Sequence, residues 1–145
     1  MIKISKVTDK SIKKLVNIHT LSLRNTLVTD ISVSKLINVH TLYLDGTRIT
    51  DKSIVKLVNI HTLSLSCCTN VTDESISKLI NVHNLNLSGT SATDQGVSKL
   101  VNLYNLNTYN TYITNKCIQH LISNGALLAK LDRYVPYINL MVVET

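Results

Sequence analysis

Apolar side chains return along this chain on a template of about 21 residues, never in one long run. Each copy opens on a Thr-Asp pair: Thr8-Asp9, Thr29-Asp30, Thr50-Asp51, Thr72-Asp73, Thr93-Asp94 and the variant Thr114-Asn115, at steps of 21, 21, 22, 21 and 21 residues. Three, six and seven residues past the Asp stand apolar columns, represented by Ile54, Leu57 and Val58 in the third copy. Spacings of i, i+3 and i+4 predict one apolar face of a short helix. The threonines are suited to cap it, and an aspartate in its first turn complements the helix dipole. An Asn column (Asn17, Asn38, Asn59, Asn81, Asn102) follows, where the spacing predicts a left-handed residue that ends the helix. Then the period changes to two, in Leu21-x-Leu23, Leu42-x-Leu44, Leu63-x-Leu65, Leu85-x-Leu87 and the weaker Leu106-x-Thr108, which predicts short strands. A constant period of this length predicts a solenoid.

Stacked units place parallel strands about 4.8 Å apart on one side. Helices roughly 10 Å wide crowd the other side, so the stack is expected to curve with its strands lining the concave face. Leu127, Ala129 and Leu131 fit a degenerate sixth strand, and Tyr134–Val143 falls outside the register. The expected organisation is a repeat array over 1–131 followed by a capping segment over 132–145. The chain begins in the middle of a strand at Ile2. That open edge invites self-association, although Lys3 and Lys6 oppose it. Either the edge is tolerated, or it docks a partner, or the chain is one module of a longer ancestor.

The segment Ile18-x-x-Leu21-x-Leu23-x-x-Thr26-x-Val28 resembles the leucine-rich repeat family, with Thr26, Thr47, Thr69, Thr90 and Thr111 in the column where Asn is usual. The resemblance covers about residues 2–131. It implies an α/β, right-handed leucine-rich-repeat solenoid, a curved horseshoe segment with parallel strands on the concave face and short helices on the convex face. A threonine hydroxyl is expected to bond the backbone of the neighbouring turn. The stretch Leu63-Ser-Leu65-Ser-Cys67-Cys68-Thr-Asn-Val71-Thr-Asp73-Glu-Ser-Ile76 is similar to the cysteine-containing subclass found in F-box substrate receptors of ubiquitin ligases, although no F-box is expected, the sequence leaving no room for one before Ile2. What this implies is a non-enzymatic protein-recognition scaffold.

Composition narrows the core. Of 145 residues, 44% are hydrophobic, yet Trp and Phe are absent, so Leu, Ile and Val must fill the interior. Cys67, Cys68 and Cys117 are odd in number, which favours reduced thiols in an intracellular setting, the cytoplasm or a host's cytoplasm were the source viral. The amino terminus holds no apolar run suited to a signal peptide, and no stretch is long enough to span a bilayer, so no membrane partner is expected.

Two rows carry candidate chemistry. His19, His40, His61 and His83 share one position, ended by Tyr104, with rings expected about 5 Å apart. No Cys, Asp or Glu column completes a tetrahedral set, and duplication alone accounts for the row, so no metal ligand is assigned. Lys14, Lys35, Lys56, Lys78 and Lys99, with His120, form a basic stripe expected near the carboxy-terminal ends of the convex helices. With a net charge of +6, that stripe supports an alternative role in binding nucleic acid or an anionic surface. It lacks aromatic residues to stack on bases, so nucleic acid is the lesser partner. No convergent catalytic set and no cofactor motif is present, and no enzyme activity is expected.

The concave face remains. Its outward positions predict a partner surface at Thr20, Ser22, Arg24, Tyr43, Asp45, Ser64, Ser66, Asn86, Ser88, Asn107 and Tyr109, whose partner is an unidentified protein. Tyr and Arg are the residue types that dominate interface energies. The surrounding face reads as small, polar and nearly uncharged.

Overall fold

A computed structural model describes residues 7–15, 17–128 and 130–132. Helices and strands alternate throughout: α1 (Asp9–Ile12), β1 (Thr20–Ser22), α2 (Asp30–Val33), β2 (Thr41–Tyr43), α3 (Asp51–Ile54), β3 (Thr62–Ser64), α4 (Asp73–Ile76), β4 (Asn84–Asn86), α5 (Asp94–Val97), β5 (Asn105–Asn107), α6 (Asn115–Ser123) and β6 (Lys130–Asp132). The six strands form one parallel sheet in sequence order. Corresponding residues pair at every step, as in Leu21↔Leu42, Leu42↔Leu63, Leu63↔Leu85, Leu85↔Leu106 and Leu106↔Leu131. A parallel pair needs a crossover between its strands, and here a single helical turn supplies it from β1 to β5, with the longer α6 leading to β6. The expected open edge at Ile2, with Lys3 and Lys6, and the expected capping segment over 132–145, Asp132 of β6 apart, lie outside the described residues.

One repeat shows how the core is built. Ile54, Leu57, Ile60, Leu63, Leu65 and Val71 of the third repeat are all essentially buried, and the neighbouring repeats bury the matching set. Full burial of such a side chain contributes about 1.5–3 kcal/mol. The interior is one continuous cluster running from Ile12 to Ala126. Thr29, Thr50, Thr72 and Thr93 cap their helices, each hydroxyl accepting the backbone N–H two residues on at 3.2–3.3 Å.

The structure corrects several expectations. The helices α1 to α5 are one turn long, so the column seven residues past the Asp lies beyond them, and Ile37, Val58, Ile80 and Val101 are exposed. Ile122 falls within the longer α6 and is exposed there too. The chain leaves the helix after Ile54, and alternation around inward-pointing Leu57 turns Lys56 and Val58 outward. The lysine row accordingly follows the helices.

The Asn column is not the left-handed position. Positive φ falls on Asn25 (54°), Gly46 (67°), Cys67 (59°), Gly89 (68°) and Asn110 (54°), two residues past the second strand leucine, where the chain turns off the sheet. The Asn column stitches repeats together. Asn59, Asn81 and Asn102 Nδ2 donate to the carbonyls of Ile37 (3.3 Å), Val58 (3.1 Å) and Ile80 (2.8 Å).

The threonine ladder bonds the backbone of its own turn, not that of the next. Thr26, Thr47, Thr90 and Thr111 donate to the carbonyl three residues back, at 2.8, 2.6, 2.6 and 2.8 Å. In the third repeat the position belongs to buried Cys68 rather than Thr69, which is exposed. Cys68 Sγ reaches the neighbouring repeat, lying 3.1 Å from the Leu44 carbonyl oxygen. The residue that makes this step 22 long is absorbed at the Thr69–Asn70 turn, and strand register continues undisturbed through Thr62↔Asn84.

Candidate functional site

The concave face carries two linked polar groups. At its amino-terminal end the side chains of Arg24 and Asp45 form an ion pair through Arg24 Nε, and Arg24 Cζ stands 4.1 Å from the centroid of the Tyr43 ring. Stacking on an aromatic face holds the guanidinium in one orientation. Asp45 also accepts the Ser64 hydroxyl and, at 3.1 Å, the Ser66 backbone amide. Ser64, expected to point outward as partner surface, is therefore buried (5% exposed), because its hydroxyl is drawn under Asp45. Charge on this part of the face is internally compensated.

Toward the carboxy-terminal end, side-chain amides replace the ion pair. Asn105 donates to Asn84 Oδ1, and Asn84 Nδ2 donates to Thr62 Oγ1 at 3.0 Å. Asn86 Oδ1 accepts the Ser88 amide at 3.0 Å, and Asn107 Oδ1 accepts the Tyr109 amide at 2.9 Å. Ser88 donates to Ser66 at 2.9 Å. Between the two groups lies a shallow depression of about 240 Å³, bordered by Arg24, Tyr43, Ser64, Asn86 and Asn107. Thr20, Ser22 and Tyr109 are exposed outside it. The predicted surface thus divides into a shared depression and a looser periphery.

The histidine row stacks as expected. Ring centroids of His19, His40, His61 and His83 are 5.2, 5.2 and 5.3 Å apart, the first two pairs nearly coplanar in orientation at 6° and 2°. His40 Nδ1 is buried and unpaired. Among the described residues no three His, Cys, Asp or Glu converge on a common point that could hold a metal ion.

The Thr-Asp columns do more than cap. Each Asp reaches the next repeat. Asp30 accepts the Thr50 amide (2.9 Å), the Thr50 hydroxyl (2.6 Å) and the Ser53 hydroxyl (2.6 Å). Asp9 binds Thr29 and Ser32, and Asp51 binds Thr72 and Ser75, in the same way. Partial burial alone would raise the pKa values of Asp9, Asp30 and Asp51. The hydrogen bonds outweigh it and hold all three below the usual carboxylate value. The signal was present in the sequence as a Ser column (Ser32, Ser53, Ser75) three residues past each Thr. Gly96 breaks that column, and a Cβ there would run into the Asp73 carboxylate.

No protein-family model and no curated protein matches the chain. Solved structures do. Internalin C2 of Listeria monocytogenes is similar at 24% identity and a TM-score of 0.73, covering 90% of this chain and 57% of its own. A leucine-rich-repeat protein of Leptospira interrogans is similar at 25% identity and a TM-score of 0.58, over 87% of this chain and 33% of its own. A plant peptide hormone receptor in complex with RGF2 is similar at 16% identity and a TM-score of 0.53, over 86% and 26%. This chain therefore spans little more than half the length of the first and a third of the second. Parallel in-register strands, one-turn helices and these likenesses agree: the chain is a leucine-rich-repeat solenoid.

Proposed function

We propose that the chain is a non-enzymatic interaction module that binds a protein partner through its concave face. The observation that carries this reading is the depression between the Arg24–Tyr43–Asp45 cluster and the asparagines. At about 240 Å³ it is smaller and shallower than small-molecule sites, which run to roughly 300–1,000 Å³. Its rim offers a pre-oriented guanidinium, a tyrosine ring and several amides, groups that serve a peptide backbone and its side chains. The plant receptor of the same fold is described in complex with RGF2, which supports a bound partner for this architecture. A finer form, a stand-alone relative of ubiquitin-ligase substrate receptors, rests on the Leu63–Ile76 segment.

The test is a tagged pull-down from the source cell beside a Tyr43→Ala/Tyr109→Ala variant whose fold is checked by circular dichroism. A protein captured by the parent and lost from the folded variant supports concave recognition. A protein retained equally by both, or capture of nucleic acid alone, overturns it.

A further inference from the structure

We infer that one flank of the solenoid, the side between the helices and the start of the strands, is a docking surface for an anionic lipid bilayer. The segment from Lys56 to His61 climbs from α3 to β3 and is repeated along the array. In each copy a lysine and a branched aliphatic residue point outward on either side of a buried leucine: Lys35 and Ile37, Lys56 and Val58, Lys78 and Ile80. Val101 continues the aliphatic row and joins His83, Tyr104 and Leu127 around one surface hollow. The aliphatic row, the end of the ring row and the exposed Leu127 therefore share this flank.

Isolated exposed aliphatics need no explanation, but a row repeated in every repeat makes a continuous apolar stripe. The accompanying lysine row decides what covers it. A second copy of this chain would set lysine against lysine. Nucleic acid would use the lysines and leave the aliphatics in water. A bilayer interface uses both, apolar side chains entering the acyl boundary while lysines remain among acidic headgroups. Asp9, Asp30 and Asp51 stand at the starts of the helices, whereas the lysine and aliphatic rows lie past the helix ends. The row is also chemically uniform, which suits a laterally uniform surface better than the particular outline of one protein. Such docking needs no membrane-crossing segment, and no helix among the described residues is long and apolar enough to be one. The concave face stays free.

The chain has no Trp, so a single substitution provides a clean reporter. Val58→Trp on the flank and Tyr43→Trp on the concave face are each titrated with phosphatidylcholine vesicles, with and without phosphatidylserine. Blue-shifted emission is expected for Val58→Trp with phosphatidylserine vesicles only, and no shift for Tyr43→Trp. Adding Lys35→Gln/Lys56→Gln/Lys78→Gln should weaken vesicle binding by roughly 10- to 100-fold. By sedimentation, Ile37→Ser/Ile80→Ser should reduce binding at least tenfold in an otherwise unchanged chain while circular dichroism shows the fold intact. An absent shift at low salt overturns the inference. So do equal shifts at both reporters, unimpaired sedimentation of the Ser variant, or a Val58→Trp response to duplex DNA or an acidic protein but not to vesicles. None of these outcomes touches the concave-face proposal, whose variant leaves the flank intact.

Discussion

Asp51 and Thr72, in successive repeats, are joined by two hydrogen bonds: the carboxylate accepts the Thr72 backbone amide at 2.9 Å and its hydroxyl at 2.7 Å. The threonine hydroxyl in turn accepts the Glu74 amide at 3.3 Å, so one side chain satisfies one of the helix's unpaired donors and ties the repeat behind it.

This linkage makes stability depend on pH. Asp9, Asp30 and Asp51 titrate lower folded than unfolded. Their contribution is complete above the unfolded carboxylate pKa of about 3.9 and is lost as pH falls through the depressed folded values. Thermal unfolding followed by circular dichroism should be nearly level between about pH 7 and 5 and decline below about pH 4. Asp51→Ala should cost about 1–3 kcal/mol at neutral pH, since it orphans the Thr72 and Ser75 donors, and should flatten the acid decline. A curve level through the acid range would show that the clamps carry no free energy.

Neighbouring residues in the third repeat should respond in opposite ways. Leu57 is 1% exposed and Val58 is 55% exposed. Leu57→Ala should cost about 2–5 kcal/mol, and Leu57→Asp should unfold the array cooperatively. Val58→Ser should change urea stability by no more than about 0.5 kcal/mol. Equal losses at both positions would mean that the flank aliphatics are core.

Gly46 sits at φ +67°, and a Cβ there would meet the Asn25 amide oxygen of the preceding repeat. Gly46→Ala should destabilise by about 1–2 kcal/mol from the left-handed backbone alone, with the clash adding to it. Gly125 has a positive φ of 104° but open space around it, so Gly125→Ala should suffer only the backbone strain. Denaturant midpoints of the two variants measure the difference.

The three thiols should separate by reactivity. Burial raises the pKa of Cys68, and burial with the nearby Asp94 carboxylate pushes that of Cys117 up to about 11. Cys67 is exposed. A thiol-reactive chromophore should label one equivalent in the native chain and three in denaturant. Rapid native labelling at Cys117 would mean that α6 opens readily.

What the residues disclose before folding divides along a physical line. Columns whose meaning depends on local period were legible: Leu63-x-Leu65 as a strand, Thr50 as a cap, the strand register and the spacing of the histidine rings. Where two local rules competed, the pattern could not decide. Val58 satisfies helical spacing after Ile54, but α3 ends first and the residue faces solvent. Asn59 is chemically fit for a left-handed turn, yet its amide is used by the Ile37 carbonyl. Ser64 alternates outward on paper, and the Asp45 carboxylate pulls it in. The Asp–Thr–Ser clamp joins residues about 20 positions apart, beyond the reach of any local period, although the Ser column that reveals it was plainly present. The concave outline was available from alternation, but not the pairing of Arg24 with both Tyr43 and Asp45.

The clamp also gives the array a sense of direction. A repeat offers a carboxylate to the unit after it and Thr and Ser hydroxyls to the unit before it, so the first three joints are a plug meeting the same socket, while the next two keep the Thr half alone. A unit copied and spliced in at one of those three joints arrives with both halves of the fitting, already matched to neighbours on either side. Length is thereby uncoupled from sequence design: the array can grow or shrink by whole units without any surrounding residue having to change.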